Sequence, residues 1–166
     1  PSIIVSIDSN STDVIVTYKG IVRFSRNIAT GGNALTRALA QNLGFDFSQA
    51  EEYKKTYGLD INQVDGKVYN AIKPVFDIVV NEIKRAFFFY TTHNPGVNIR
   101  RVVVCGGTAL MPGVLYYLTN NLNLEIEMAN PWQKITIPQR LQKEKQLLLD
   151  KGPFFVSAAG LALKDI

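Results

Sequence analysis

The sequence predicts an α/β protein built on a mixed β-sheet, and three observations lead to this fold class. Three strand patterns with short connections open the chain, at residues 3–7, 13–18 and 21–28. Helical patterns then alternate with two more strands, at 101–105 and 124–129. The apolar strand 101–105 follows a long helix, and right-handed crossovers of that kind join parallel strands. We therefore expect 101–105 to lie parallel to one of the opening strands.

The opening strands are expected to pair as an antiparallel meander. Residues 3–7 are a β-branched run, and residues 13–18 alternate apolar and polar side chains with a period of two. Lys19-Gly20 supplies a tight turn into the third strand. Two short connections in succession are typical of antiparallel neighbours.

Three helices follow. Leucines at 35, 39 and 43 share one face of a helix that should end at Gly44. Ser48 and Glu51 have the spacing of a capping box, which predicts a second helix that ends near Gly58. A buried stripe from Val68 to Phe87 predicts a long helix over about 65–90, which Pro74 should kink or restart.

The last third begins with the strand 101–105, whose lack of polar alternation predicts burial on both faces. Pro112 suits the start of the next helix. Residues 139–151 are polar and should form an exposed helix or a mobile segment, and residues 154–163 a closing helix rich in small residues.

Composition excludes several classes of function. The net charge of +4 is spread along the chain without a basic block, so no nucleic-acid partner is expected. A single cysteine, Cys105, rules out an internal disulfide, and a single histidine, His93, argues against serine-hydrolase or zinc-hydrolase chemistry.

No apolar run reaches the ~18 residues of a membrane span, and no signal peptide is evident. Because Pro1 runs straight into a strand, the chain is expected to be a piece of something longer.

Two loops are candidates for ligand binding. Asp8 ends a strand and is followed by Ser9, Asn10, Ser11 and Thr12, whose N–H groups and hydroxyls suit an anion. The Asp8 carboxylate suits a hydrated Mg²⁺ ion. Gly106-Gly107 ends the buried strand, so that backbone and the following helix end can approach a ligand closely. If 101–105 lies beside 3–7, both loops emerge at one sheet edge, where open α/β sheets bind ligands. The alternatives are an ordinary hairpin loop and a tight β–α connection.

A third candidate is the pair Glu51 and Lys54, one helical turn apart, with Glu52 and Lys55 beside them. These side chains could hydrogen-bond a ribose. The alternative, favoured by spacing alone, is a solvated helix face with an intrahelical ion pair.

Seven segments in order resemble the second half of an actin-like ATPase of the type IV pilus assembly protein PilM family, relatives of the division protein FtsA. They are IDSNSTDVIVTYKG, FSRNIATGGNALTRALA, FSQAEEYKKTYGL, VVNEIKRAFFFY, RVVVCGGTALMPGVLYYLTNNL, MANPW and FFVSAAGLALKD. The resemblance covers nearly all of the chain. It implies a ribonuclease-H-like subdomain with a five-stranded mixed sheet (1–32 and 94–166) and a helical insert (33–93). It also implies that the closing helix packs against a preceding half.

The resemblance implies that ATP binds in a cleft between two such halves. Asp8 to Thr12 would be the second phosphate loop, with Asp8 holding Mg²⁺ through water. Gly31 and Gly32 would line the nucleotide, and Glu51 and Lys54 would lie on its ribose side. The adenosine would be contacted by the turn after the buried strand, at Gly106, Gly107, Thr108 and Met111. Two positions depart from the family, because Ser9 and Thr108 stand where relatives have glycine.

The implied parent is a cytoplasmic scaffold, peripheral to the inner membrane, that contacts other pilus components there; a groove for the PilN peptide would lie in the preceding half. ATP is expected to act mainly as a conformational ligand, with at most slow hydrolysis in the parent and no catalysis by this part alone. Three alternatives remain. They are an FtsA-like division filament protein, half of a sugar or acetate kinase, and a nucleotide-free interaction module that tolerates Ser9.

Overall fold

The computed structural model describes residues 1–164, apart from the side chain of Lys134. Asp165 and Ile166, the end of the predicted segment 94–166, lie outside the described residues. The strands are β1 (Ser2–Ile7), β2 (Thr12–Tyr18), β3 (Ile21–Ile28), β4 (Arg101–Cys105) and β5 (Glu125–Met128). The helices are α1 (Gly32–Leu43), α2 (Phe47–Tyr57), α3 (Lys67–His93), α4 (Val114–Leu122), α5 (Lys145–Asp150) and α6 (Val156–Ala162). Short 3₁₀ helices include Gly107–Leu110 and Gly152–Phe155.

The five strands form one mixed sheet in the order β3-β2-β1-β4-β5. β1 to β3 pair antiparallel, whereas β4 pairs parallel to both β1 and β5. The register places Ser2 opposite Arg101 and Ser6 opposite Cys105. The predicted α/β class, the antiparallel meander and the parallel crossover are therefore confirmed, and the parallel neighbour of β4 among the opening strands is β1.

One face of this sheet forms the core together with α3. Ile3, Val5 and Ile7 of β1 are fully buried, and Ile3 and Val5 pair with buried valines on β2 and β4. From α3, Ile72 and Phe76 are also completely buried. Burying a side chain of this size contributes roughly 1.5–3 kcal/mol, so this layer holds β1 rigidly in the middle of the sheet.

The strand β4 is not buried on both faces, as its apolar sequence predicted. Val102 and Val104 are completely buried, but Val103 is only partly buried. The register pairs Val103 with Ile4, which is also only partly buried, on the face opposite the core. The sequence showed a fully apolar strand, whereas the degree of cover on each face depends on which elements pack there.

The predicted capping box of α2 was wrong by two residues. Asp46, not Ser48, is the N-cap residue, and its carboxylate accepts a hydrogen bond from the N–H of Gln49 at 2.8 Å. The Gln49 side chain accepts in return from the Asp46 N–H. Ser48 lies inside the helix, because the helix already begins at Phe47, two residues before a cap at Ser48 would start it. The predicted ends of α1 and α2, at Gly44 and Gly58, are confirmed.

The long helix α3 runs without a break from Lys67 to His93, and Pro74 does not restart it. Gly113 rather than Pro112 caps the start of α4. The predicted closing helix is a 3₁₀ turn (Gly152–Phe155) that continues as α6. Among residues 1–164, no helix combines the length and hydropathy that a membrane crossing requires.

Candidate functional site

A cleft of about 450 Å³ opens at the edge of the sheet where β1 and β4 end. Its walls come from the β1–β2 loop, the start of α1, one face of α2, the turn after β4 and the turn before α6. The side chains and backbone that line it are Ser9, Gly32, Asn33, Glu51, Lys54, Lys55, Gly107, Thr108, Leu110, Met111, Lys151, Phe154 and Phe155. This volume lies in the range of small-molecule sites.

The two candidate loops meet at this edge, as the parallel crossover predicted. A Cβ atom on Gly106 would lie 2.4 Å from the carbonyl oxygen of Ile7, so the turn after β4 touches the end of β1. Gly106 has φ +88°, a left-handed conformation that glycine adopts without strain. The hydroxyl of Thr108 donates to the carbonyl oxygen of Asp8 at 3.3 Å. The acidic loop and the glycine turn therefore form one continuous rim.

The β1–β2 loop is bound to the start of α1. The N–H groups of Gly32 and Asn33 donate to the carbonyl oxygens of Asp8 and Ser9, at 2.8 and 2.7 Å. These first amides of α1 are consequently occupied by the loop. Gly31 makes the contact possible, since a Cβ there would lie 2.4 Å from the Asp8 carbonyl oxygen. The close approach explains why glycine stands at this position.

The loop keeps its own N–H groups available. Within residues 1–164, the N–H groups of Ser9, Asn10 and Ser11 donate to no protein acceptor. Asp8, at the end of β1, is exposed, and its carboxylate accepts a hydrogen bond from the Ser6 hydroxyl at 2.8 Å. Ser9 does not have a left-handed backbone, so a residue other than glycine is accommodated without strain. Consecutive N–H groups of this kind suit an anion.

Lys54 is the most deeply buried charged residue of the cleft, with 6% of its surface exposed. Its ammonium group donates to Glu51 Oε2 at 2.7 Å, to Thr36 Oγ1 at 2.8 Å and to the Gly32 carbonyl oxygen at 3.1 Å. The ion pair with Glu51 is the one that helical spacing predicted. Lys54 itself is not solvated, however, because α1 packs over it, whereas Glu52 and Lys55 remain exposed. The network fixes α2 to the start of α1, and hence to the acidic loop.

Glu51 is held as a carboxylate by the same network. Burial alone would raise the pKa of Glu51, but hydrogen bonds from Lys54 and Thr36 and the charges of Lys54 and Lys55 hold it below its ordinary value. Thr36 donates to Glu51 Oε2 at 2.6 Å, and the Lys55 ammonium lies 3.5 Å from Oε1. The cleft thus presents a carboxylate at this wall that is charged at neutral pH.

Seven of the thirteen residues singled out from the sequence line the cleft itself: Ser9, Gly32, Glu51, Lys54, Gly107, Thr108 and Met111. The other six belong to the rim or support it: Asp8, Asn10, Ser11, Thr12, Gly31 and Gly106. Thr12 is completely buried, and its hydroxyl donates to the Thr30 carbonyl oxygen at 2.8 Å, so its side chain braces the end of the loop.

Sequence reasoning missed the wall formed by Lys151, Phe154 and Phe155. Residues 139–151 had been predicted as an exposed or mobile segment, and 154–163 as an interface helix. The turn reaches the cleft because the Gly106 N–H donates to the Pro153 carbonyl oxygen at 3.0 Å and Phe154 packs against Gly107. The one available signal was the Gly152-Pro153 pair, which marks a turn but not what the turn contacts.

Two other types of site find no support in the described part of the chain. No group of three or more His, Cys, Asp or Glu residues there could hold a metal ion. Cys105 is buried, and burial raises the pKa of its thiol, which agrees with a core residue rather than a nucleophile.

Comparison with known proteins identifies the family. The family model described as type IV pilus assembly protein PilM matches residues 2–166. The chain belongs to the PilM family. Among solved structures, the PilM–PilN type IV pilus biogenesis complex superposes with a TM-score of 0.83 and 27% identity, over 98% of this chain and 45% of that one. The predicted resemblance and the actin-like fold are therefore confirmed, and the match favours pilus assembly over the division and kinase alternatives.

Other relatives have the same actin-like fold. The ethanolamine utilization protein EutJ of Escherichia coli (strain K12) is 30% identical over 67% of this chain and 35% of its own length. The cell division protein FtsA of Neisseria meningitidis is 24% identical over 95% of this chain and 41% of its own. MreB5 of Spiroplasma citri bound to AMPPNP superposes with a TM-score of 0.60 at 16% identity, over 99% of this chain and 55% of that one.

This chain spans about a third to two fifths of the length of these curated relatives.

Proposed function

We propose that this PilM-family chain binds Mg-ATP in the cleft between the acidic loop and the glycine turn. The observation that carries the proposal is the rim itself, where the N–H groups of Ser9 to Ser11, which have no protein acceptor within residues 1–164, follow the exposed Asp8. The Thr108 hydroxyl ties this loop to the glycine turn by donating to the Asp8 carbonyl oxygen. An actin-like fold neighbour, MreB5, has been solved with AMPPNP bound, which supports nucleotide as the ligand.

The residues fit the parts of the nucleotide as follows. The N–H groups and hydroxyls of Ser9 to Ser11 would hold phosphate oxygens. Asp8 would hold Mg²⁺ through water, since Mg²⁺ keeps several waters and binds through one or two carboxylates. Glu51, kept charged by Lys54, would accept from ribose hydroxyls. Gly107, Thr108 and Met111 would contact the adenosine, and Mg²⁺ supplies charge neutralisation of the phosphates when bound.

ATP would act mainly as a conformational ligand in the whole protein, with slow hydrolysis at most. The described rim approaches a phosphate chain from one side, whereas phosphoryl transfer depends on groups placed around the transferred phosphate. The ligand would instead close this part on the remainder of the protein, against the turn and helix at Gly152–Phe155 and Val156–Ala162. Phe154 and Leu161 there are exposed by 61% and 74%.

The division of the chain is part of the same proposal. Residues 1–32 and 94–166 would form the ribonuclease-H-like core, and residues 33–93 the helical insert that contributes Glu51 and Lys54. The whole protein would be a cytoplasmic scaffold peripheral to the inner membrane, in contact with other pilus components. The PilM–PilN complex supports partners of that kind.

Thermal unfolding of the complete protein that carries this chain tests the proposal. Mg-ATP should raise the midpoint, because a ligand that binds only the native state stabilises it by mass action. Asp8→Asn should remove this increase without lowering the midpoint in the absence of nucleotide. Asp65→Asn is the matched control, since Asp65 is exposed and its backbone conformation (φ 53°) suits asparagine. An unchanged Mg-ATP shift in Asp8→Asn would contradict the assignment.

A further inference from the structure

The outer edge of the sheet at β3 has no partner within residues 1–164. β3 is the longest strand, with eight residues, and β2 is the one described strand that pairs with it. Ile21 and Val22 are apolar but exposed by 55% and 59%. An edge strand presents a row of N–H and C=O groups to any extended chain that approaches it. Another strand can therefore pair with β3 through backbone hydrogen bonds.

A β-bulge sets Arg23 apart from the rest of this edge. Val16 pairs with Phe24 and Thr17 pairs with Val22, so that Arg23 has no opposite residue on β2. A bulge of this kind bends the strand and redirects the side chain of the extra residue. Arg23 is exposed and forms no ion pair with any residue up to 164. Its guanidinium is thus available for an external anion.

Beside Arg23 lies a second cavity, of about 360 Å³. Aromatic side chains of β2, β3 and α3 line it, together with Arg23 and Asn94: Tyr18, Phe24, Phe89 and Tyr90. The rings of Phe24 and Phe89 pack with centroids 5.2 Å apart, and Phe89 is half exposed. A cation at the mouth of an aromatic cavity suits a ligand with one carboxylate and one apolar side chain.

We propose that an extended, acidic segment of a partner protein adds to β3 as a further strand of the sheet. Its carboxylate pairs with Arg23, and a neighbouring apolar side chain enters the aromatic cavity. Main-chain hydrogen bonds to the edge would supply affinity, and the cavity and Arg23 would supply specificity. The surface lies at the opposite end of β2 from the nucleotide cleft, about 20 Å away along the strand.

The positive charge on and around β3 favours an acidic partner over a second copy of the chain. β3 carries Arg23 and Arg26 and no acidic residue, and Lys19 lies in the turn before it. Arg26 is paired with Glu82 at 2.7 Å, but Glu82 is shared with Arg85, so the cluster keeps a net positive charge. Two copies of β3 would bring these cations together, which is unfavourable for neighbouring strands.

Peptide selection tests the proposal with a defined probe. A phage library of random twelve-residue peptides is selected on the chain, and the enriched consensus is synthesised with fluorescein for anisotropy titration. We expect a consensus in which acidic and apolar residues alternate. Arg23→Glu should weaken binding at least tenfold, as should a peptide with Gln in place of its Glu. Arg140→Glu is the matched control, because Arg140 is also exposed and lies outside this surface.

Hydrogen exchange separates strand addition from a contact with Arg23 alone. Bound peptide should slow amide exchange at alternate residues of β3, because only every second N–H of an edge strand points outward. The proposal is overturned if no acidic consensus emerges, if Arg23→Glu weakens binding less than tenfold, or if β3 exchange is unchanged by the peptide. It is also overturned if β3 becomes protected by raising the chain concentration without peptide, which would indicate a second copy.

Discussion

The hydroxyl of Thr108 donates to the backbone carbonyl oxygen of Asp8, and this contact joins positions 100 residues apart in sequence. The contact exists because β4 pairs parallel to β1, so that both strands end at the same sheet edge. At the same edge Gly106 lies directly against Ile7. The acidic loop and the glycine turn therefore depend on each other for their positions.

The contact between Gly106 and Ile7 should tolerate no side chain. In Gly106→Ala the new Cβ would lie 2.4 Å from a backbone oxygen of the central strand, at a residue that already has φ +88°. We expect a loss of unfolding free energy on the order of 4 kcal/mol, or failure to fold. Urea unfolding measures it.

Gly20→Ala is the matched control for Gly106→Ala. Gly20 has φ +76° but nothing within 4 Å of its Cβ position, so it isolates the cost of the backbone conformation. That cost is about 1–2 kcal/mol. Equal losses of unfolding free energy in the two variants would show that the contact with Ile7 adds no cost of its own.

Lys54 should be important for stability although it is charged and borders a cleft. Lys54→Met leaves Glu51, Thr36 and the Gly32 carbonyl without their shared donor. We expect a loss of about 1–3 kcal/mol in urea unfolding. Lys55→Met, one residue along the helix and exposed by 60% at its side chain, should change stability by less than about 0.5 kcal/mol. Similar effects of the two substitutions would contradict the buried network.

The Glu51 network should make stability depend on pH in a defined direction. The pKa of Glu51 is lowered in the folded state from 4.5, so its contribution is present above that value and is lost as the pH falls through the folded pKa. Urea unfolding of the wild type and of Glu51→Gln, from about pH 7 to about pH 3, should show a difference that shrinks towards acid. A difference that grows towards acid would mean that the pKa of Glu51 is raised.

The N-terminus of α2 offers a pair of substitutions that distinguishes the observed cap from the predicted one. Asp46→Ala removes the acceptor for the Gln49 N–H and should cost about 1 kcal/mol of unfolding free energy. Ser48→Ala lies within the helix and should be neutral or slightly stabilising, since alanine has the higher helix propensity. A larger loss of unfolding free energy in Ser48→Ala than in Asp46→Ala would indicate that Ser48 is the N-cap.

The amino-acid sequence alone determined the kind and order of the main elements. A β-branched run predicted β1, a period of two predicted β2, and the Lys19-Gly20 turn introduced β3. The spacing of Leu35, Leu39 and Leu43 predicted α1. These predictions succeeded because such patterns record which side of an element is buried, and this is a local property. The crossover rule then predicted that β4 is parallel to an opening strand. Its position beside β1, which brings the Asp8 loop and Gly106 together, was only a condition at that point, and the structure fulfils it.

Only the tertiary structure showed which side chains line the cleft and which charged groups are buried there. The burial of Lys54 depends on α1 packing over α2, and the wall at Phe154 depends on a hydrogen bond from Gly106 to Pro153. The position of Arg23 depends on a bulge in the pairing of β2 with β3. None of these contacts has a periodic signature, because each joins segments whose approach is set by the packing of the whole chain rather than by their own residues.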